Sequence, residues 1–262
     1  MRILITGSAR AIGAATAAEL TARGHHVIAT ARDASLLDGV EAAERLAMDV
    51  TDERSIDDAL HRADQIDAVV NNAAVSGAGP LESFPIDQLR AMFETNTIGA
   101  LAVIQKVVPA WRNRGHGVIV NVSSVQGRVS SPLEGAYAAT KYALEAMSET
   151  LHYELAHFGI RTVIIEPGYI APGMKASPRH DGPDAYAGLW AQWAGTDAKV
   201  TGPSGRPGPD LVGRAIADAI EQDDTPLRVP VGADAELILS TRQQLDDPTF
   251  ESAMRQALDL TW

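Results

Sequence analysis

The sequence predicts an α/β domain built on a doubly wound, mostly parallel sheet, and three observations predict it. Apolar runs of strand length alternate with helical stretches along the chain. The first run, Arg2 to Thr6, breaks at a glycine turn that opens an Ala-rich helix. A strand, such a turn and a helix N-terminus form an anion site, because free backbone N–H groups and the helix dipole face the ligand. The chain has 262 residues, 45% of them hydrophobic, which fits one domain (1–262) with a substantial core.

The elements follow in order. Residues 2–6 form the first strand, and a helix then runs to about Arg23. Residues 26–31 form the second strand, followed by Arg32, and residues 45–50 a short third one. Thr51-Asp-Glu-Arg reads as a helix N-cap with early acids. Residues 66–70 form the fourth strand, running into Asn71-Asn72-Ala73-Ala74, where small residues allow a ligand close to the backbone and Asn side chains hold the turn. A Gly/Pro-rich loop covers 77–86, and a long helical stretch runs from Asp87 to about Arg114. Gly117 begins a buried strand that ends in Ser123-Ser124, and a helix from Tyr137 stops near Phe158 at Gly159. Its Ala143, Leu144, Met147, Leu151 and Leu155 recur at helical spacing and face the core or a second subunit. Residues 160–165 form the sixth strand, ahead of Glu166-Pro167-Gly168-Tyr169-Ile170. Residues 172–209 are the least regular; within them a short helix, 184–193, carries Tyr186, Leu189, Trp190 and Trp193. A helix over 210–221, a last strand over 228–231 and helical segments to Trp262 complete the domain. The tail is expected to pack on the pocket or on a dimer surface.

Chemistry concentrates at residues 117–141. Tyr137 and Lys141 are four apart and share one helical face, beside the strand end that carries Ser124. A free phenol titrates near 10, and bringing it to neutrality requires about 4 kcal/mol. An ammonium at about 5 Å, at an effective dielectric of about 20, supplies about 3 kcal/mol of that in favour of the phenolate, and a cationic cofactor ring could add the rest. Lys141 is therefore expected to do most of the tuning, and Ser124 to donate a hydrogen bond to a reacting oxygen.

These motifs make the chain resemble the short-chain dehydrogenase/reductase family from Arg2 to about Pro230. The resemblance implies a Rossmann fold, catalytic Ser124, Tyr137 and Lys141, and a helix-interrupting Asn96 that completes a proton relay. It implies a dinucleotide over Gly7, Ser8, Arg10, Ala11, Ile12 and Gly13, with the adenosine near Ala31, Arg32, Asp49 and Val50. The remainder of the cofactor would lie along Asn72, Ala73, Ala74, Tyr137, Lys141, Pro167, Gly168 and Ile170. Ala31 is neutral where an acid would bond the ribose hydroxyls, and Arg10 and Arg32 suit a 2′-phosphate, so NADP(H) is expected over NAD(H). The chain departs from the family pattern at Ala11 and Ala74, both usually Gly, and at Pro172, often Thr. Ala31-Arg32 and the long loop after Pro167-Gly168 resemble the hydroxysteroid-dehydrogenase-like branch. The family places its substrate loop at 172–209, so this stretch is expected to be a lid whose Tyr186, Leu189, Trp190 and Trp193 give it an aromatic, apolar inner face, which implies an apolar substrate; the alternative is a surface insertion whose tryptophans pack on the sheet. The family commonly forms homodimers or homotetramers.

Composition narrows the partners. The net charge of −12 disfavours nucleic acid. There are no cysteines, so disulfides and thiolate metal sites are excluded, and the seven His show no metal-ligand spacing. No apolar run reaches a membrane span, and the N-terminal strand leaves no room for a signal peptide, so a cytoplasmic protein is expected. The expected activity is reversible hydride transfer between NADP(H) and a small-molecule carbonyl/alcohol pair. The rivals are an NAD-dependent alcohol dehydrogenase, a dinucleotide-sensing protein on the same fold, and a non-redox epimerase or dehydratase.

Overall fold

The computed structural model describes residues 1–174, 179–201 and 205–262. Parts of the expected lid, 175–178 and 202–204, therefore lie outside the described residues. Seven parallel strands form one sheet in the order β3-β2-β1-β4-β5-β6-β7. They are β1 (Arg2–Ile5), β2 (His26–Ala31), β3 (Glu44–Ala47), β4 (Ala68–Asn71), β5 (Gly117–Val122), β6 (Ile160–Pro167) and β7 (Arg228–Val231). The helices are α1 (Ala11–Ala22), α2 (Glu53–Ala63), α3 (Ile86–Phe93), α4 (Gly99–Arg114), α5 (Gly135–Ala156), α6 (Ala187–Trp193), α7 (Thr196–Thr201), α8 (Asp210–Glu221), α9 (Ala233–Gln244) and α10 (Asp247–Leu258).

Alternation along the strands explains the layers. Ile3 and Ile5 point to one face of the sheet, where they pack with Ala17 and Leu20 of α1 and Val212 and Ile216 of α8. Leu4, between them, points to the other face and joins Ile56 of α2 with Val103, Val107 and Trp111 of α4. With both faces covered, β4 and β5 are buried at every position, so the central strands read as near-continuous apolar runs. Among the described residues no helix is long and apolar enough to cross a membrane.

Several boundaries differ from the sequence expectation, and three of them have a visible cause. β3 stops at Ala47, because Asp49 turns the chain: its Oδ1 accepts from Thr51 N at 2.9 Å and Thr51 Oγ1 at 2.8 Å. The cap of α2 is Asp52, whose side chain accepts from Arg54 N. β4 begins at Ala68, since the Asp67 carboxylate accepts from the backbone N of Arg2 at 2.7 Å. The long helical stretch is continuous but contains a π-helical turn, Glu94–Ile98, between α3 and α4.

The winding reverses between β1 and β4, and the crevice outside their carboxyl ends is where such sheets take ligands. Two glycines let the chain turn there. A Cβ on Gly7 would lie 2.8 Å from Ala73 Cα, and one on Gly13 would lie 2.3 Å from the Gly7 carbonyl oxygen. Ala11, standing where the family pattern has Gly, has φ 46°. That left-handed conformation costs a non-glycine residue about 1 kcal/mol. Ala11→Gly is accordingly expected to raise unfolding stability by about 0.5–1 kcal/mol at unchanged m-value in urea titration, and a loss of stability would contradict the strain.

Candidate active site

The β1–α1 turn is fixed from both sides. Ser8 is buried; its hydroxyl donates to Ile5 O at 2.8 Å and accepts from Thr30 N at 3.2 Å, while its N–H donates to Thr30 O at 2.8 Å. Asn72 Nδ2 donates to the carbonyls of Thr6 and Gly7, 3.0 Å each, and Thr6 Oγ1 accepts from the N–H groups of Asn72 and Ala73. The side chains of Ser8 and Asn72 thus serve the scaffold of the turn. Arg10 is the N-cap of α1 and makes no side-chain cap bond, so the first N–H groups of α1 stay available to an anion. The turn fits the pyrophosphate of a dinucleotide on that ground. Arg10 and Arg32 are exposed, and neither forms an ion pair among the described residues. Asp33, next to Arg32, instead caps a short turn, where the Ser35 N–H holds its carboxyl below the usual range.

The other expected cofactor positions line the same edge. Ala31 is buried at the end of β2, and its carbonyl accepts from Met48 N at 2.7 Å. Val50 is buried against Gly99, and Asp49 spends one carboxylate oxygen on its own turn. Pro167 ends β6, and Gly168 N donates to Val231 O at 3.0 Å. Ile170 is buried in the core beneath that loop, and Ile12 packs against the same core from α1. Ala74 is half-buried after β4.

Tyr137 and Lys141 rise from the first turns of α5. Lys141 is 2% exposed, and its ammonium donates to the carbonyl of Val122, at the end of β5, at 2.8 Å. Its Nζ lies 5.7 Å from the centre of the Tyr137 ring. Ser124 follows β5 in extended conformation and hydrogen-bonds the phenol. Asn96 lies in the π-turn, buried. Its Oδ1 accepts from Val75 N at 2.8 Å, and its Nδ2 donates to Val75 O at 2.8 Å and Thr140 Oγ1 at 2.9 Å. The π-turn thus brings an amide side chain onto the helix that carries Tyr137 and Lys141.

The electrostatics differ from the expectation that Lys141 acidifies the phenol. Burial pushes the Tyr137 phenol up, the Glu134 carboxylate pushes it further, and the Ser124 hydrogen bond works the other way. Burial pushes the Lys141 ammonium down to about 8, against the Glu145 charge. The protein alone therefore holds a neutral phenol beside a loosened ammonium.

With Ser124, Tyr137 and Lys141 converging on the crevice, the comparisons can be weighed. A model of the short chain dehydrogenase family matches residues 1–182. The chain belongs to the short-chain dehydrogenase family. It is 33% identical to the uncharacterized oxidoreductase YusZ of Bacillus subtilis, over 97% of each chain. A short-chain dehydrogenase structure from Streptomyces avermitilis superposes with a TM-score of 0.80 at 34% identity, covering 97% of each chain. A short chain dehydrogenase from Burkholderia cenocepacia, solved with NADP, gives 0.76 at 26% identity over 100% of this chain and 98% of that one. A 3-oxoacyl-[acyl-carrier protein] reductase from Brucella melitensis, with bound NAD, gives 0.73 at 27% identity over 88% of each. An oxidoreductase of this family with a nicotinamide dinucleotide cofactor is thereby supported, with both dinucleotides represented among its neighbours.

The helical stretch 184–193 differs from the expected aromatic inner face of a lid. Leu189 is buried and Trp193 lines the cavity beneath, but Trp190 turns to Arg179, whose guanidinium carbon is 3.8 Å from its ring centre. Tyr186 stacks on Trp262, so the C-terminal tail covers the lid. Among the described residues no group of three or more His, Cys, Asp or Glu is placed to hold a metal.

Sequence reasoning missed several residues. Buried Asp234 accepts from Tyr169 N at 2.7 Å and clamps the loop after β6; its only signal was the glycine at 232 before it. Glu134 sits one turn ahead of Tyr137 and accepts from Gln126 Nε2. Beneath the loop after Ser124, Glu145 and Glu166 meet in the interior with Arg228 Nε 3.0 Å from Glu145 and Arg128 Nη1 3.7 Å from Glu166. Burial, together with the neighbouring Glu145 charge, pushes Glu166 up to about 7. Folded protein thus keeps a proton that the unfolded chain releases above its ordinary 4.5, and Glu166 takes stability away as pH rises from about 4.5 through 7. Glu166→Gln is expected to gain on the wild type by about 1–2 kcal/mol between pH 5 and 7.5 in urea unfolding. A difference independent of pH would contradict the raised pKa of Glu166.

Proposed function

We propose that the protein interconverts a ketone or aldehyde with an alcohol, using NADP(H) in preference to NAD(H). The observation that carries this reading is the convergence of Ser124, the Tyr137 phenol and the buried Lys141 ammonium at the carboxyl edge of the sheet, next to a glycine turn with free N–H groups. When bound, the dinucleotide supplies or takes the hydride. In reduction, Tyr137 gives its proton to the carbonyl oxygen, and the Ser124 hydroxyl donates to the same oxygen as charge develops. A phenol kept neutral by burial suits that donor role. Lys141, anchored on Val122, re-supplies charge beside the phenol, and Asn96 keeps α5 in place for the relay.

The preference for NADP(H) rests on Arg10 at the N-cap of α1 and Arg32 after the end of β2, both exposed and without an ion pair among the described residues, with Asp33 engaged elsewhere. The stretch 172–209 is the substrate lid, and the apolar character of the cavity under it favours an apolar substrate. Kinship with the hydroxysteroid-dehydrogenase-like branch, cytoplasmic residence and a homodimer or homotetramer belong to the same reading. Ile98, exposed just before α4, and Tyr142 and Tyr153, exposed on α5, favour the oligomer.

Two variants test it. Tyr137→Phe is expected to lose at least about 1,000-fold in kcat across a ketone and aldehyde panel while still quenching NADPH fluorescence on binding; undiminished turnover would end the mechanism. Arg32→Asp is expected to raise KM for NADPH about 10-fold or more while leaving NADH within about threefold, and equal effects on both would refute phosphate recognition.

A further inference from the structure

The loop after Ser124, the lid and the C-terminal helices enclose a cavity of about 350 Å³, counted with its mouth. Val125, Val129, Trp193, Ile238, Met254 and Leu258 give it an apolar wall. Gln126 lines it as well. Its side chain is 7% exposed, its Nε2 donates to Glu134, and that bond fixes which way the amide points. Its Oε1 is then buried without a hydrogen-bond partner among the described residues. An amide oxygen left so has a standing deficit that only a donor can make good. Glu134, the residue that orients it, lies one helical turn before Tyr137, so this acceptor belongs to the end of the cavity nearest the chemistry.

We propose that the cavity takes an apolar carbonyl compound bearing a hydroxyl close to its carbonyl, with Gln126 Oε1 accepting the hydroxyl's hydrogen bond and Glu134 holding the amide in that orientation. Gln126 is thus a specificity-determining residue. The assignment rests on the reductase reading of the same site and narrows its substrate class. An anionic group in the same position is disfavoured, because it would offer no donor to Oε1 and would meet the Glu134 carboxylate.

The test compares four ketones of one chain length: 2-octanone, 1-hydroxy-2-octanone, 1-methoxy-2-octanone and 2-oxooctanoate. Each is assayed with NADPH and with NADH. The wild type is expected to give kcat/KM at least about 10-fold higher for the hydroxyketone than for the methoxyketone, which keeps the oxygen and removes the donor. In Gln126→Leu that ratio is expected to fall to about 2 or below. Equal rates for the hydroxy and methoxy compounds on the wild type would overturn the inference while leaving the reductase reading intact, and the wild-type ratio decides even where the variant fails to fold. If none of the four is reduced with either cofactor, the reductase reading fails on its own. Binding then decides the inference by tryptophan fluorescence, with Trp193 in the cavity wall as reporter. A dissociation constant about 10-fold lower for the hydroxyketone than for the methoxyketone supports it, and equal or undetectable binding overturns it.

Discussion

The site depends on how α5 is fastened to the end of β5. The Lys141 ammonium, buried in the interior, donates to the Val122 carbonyl, and two turns further along α5, Asn121 Nδ2 donates to Ser148 Oγ at 2.8 Å. Ser148 in turn donates to Leu144 O, while Asn71 Nδ2 donates to Asn121 Oδ1 at 2.9 Å, so β4, β5 and α5 share one chain of polar contacts. Asn96 adds the clamp on Thr140 from the side of the π-turn. A helix turns 100° per residue, so a small rotation would carry Tyr137 away from the crevice. These buried bonds resist that rotation because each donor withdrawn from its partner would remain unsatisfied.

The same burial governs the proton. Removing the site from water disfavours both phenolate and ammonium, and the Glu134 carboxylate adds to the penalty on the phenolate. The attraction that Lys141 offers across a few ångströms is of the order of 3 kcal/mol and is offset by that penalty. A resting phenol therefore keeps its proton, which is the state an acid needs. The ammonium, loosened toward 8 and directed at a backbone carbonyl, is oriented by the scaffold.

Much of this was legible in the sequence because it is periodic or local. β2, α8 and β7 occupy the expected residues, since their apolar runs end in abrupt turn chemistry. Ser124, Tyr137 and Lys141 share one edge because a strand end and a helical four-residue spacing leave them little choice. β3 was less legible: Met48 and Val50 are buried, yet the Asp49 turn ends the strand between pairing and burial. The sign of the phenol's perturbation was hidden as well. It depends on the depth of burial and on Glu134, and a pairwise estimate with Lys141 contains neither. The Glu145–Glu166–Arg228 cluster joins residues far apart in the chain, so no spacing could announce it.

The lid shows why a local pattern can mislead. Tyr186, Leu189, Trp190 and Trp193 suggest one aromatic face, but the C-terminal tail competes for part of it. Trp262 takes Tyr186, Gln192 donates to Thr261 Oγ1 at 3.1 Å, and Lys199 Nζ donates to Leu258 O at 2.7 Å. Each of these contacts is largely exposed and individually weak. Together they join α6 and α7 to α10, and all three contribute wall to the cavity. Any movement that opens the cavity on this side must carry the tail with the lid or break those contacts one by one. The opposite wall has no such freedom, because Val125, Gln126 and Val129 belong to the catalytic loop, whose cap is the hydroxyl of Ser124. The pocket thus sets a wall fixed to the chemistry against one held by weak contacts. On the proposed reading, that asymmetry would let the apolar part of a substrate vary while its reacting oxygen stays in register with Tyr137.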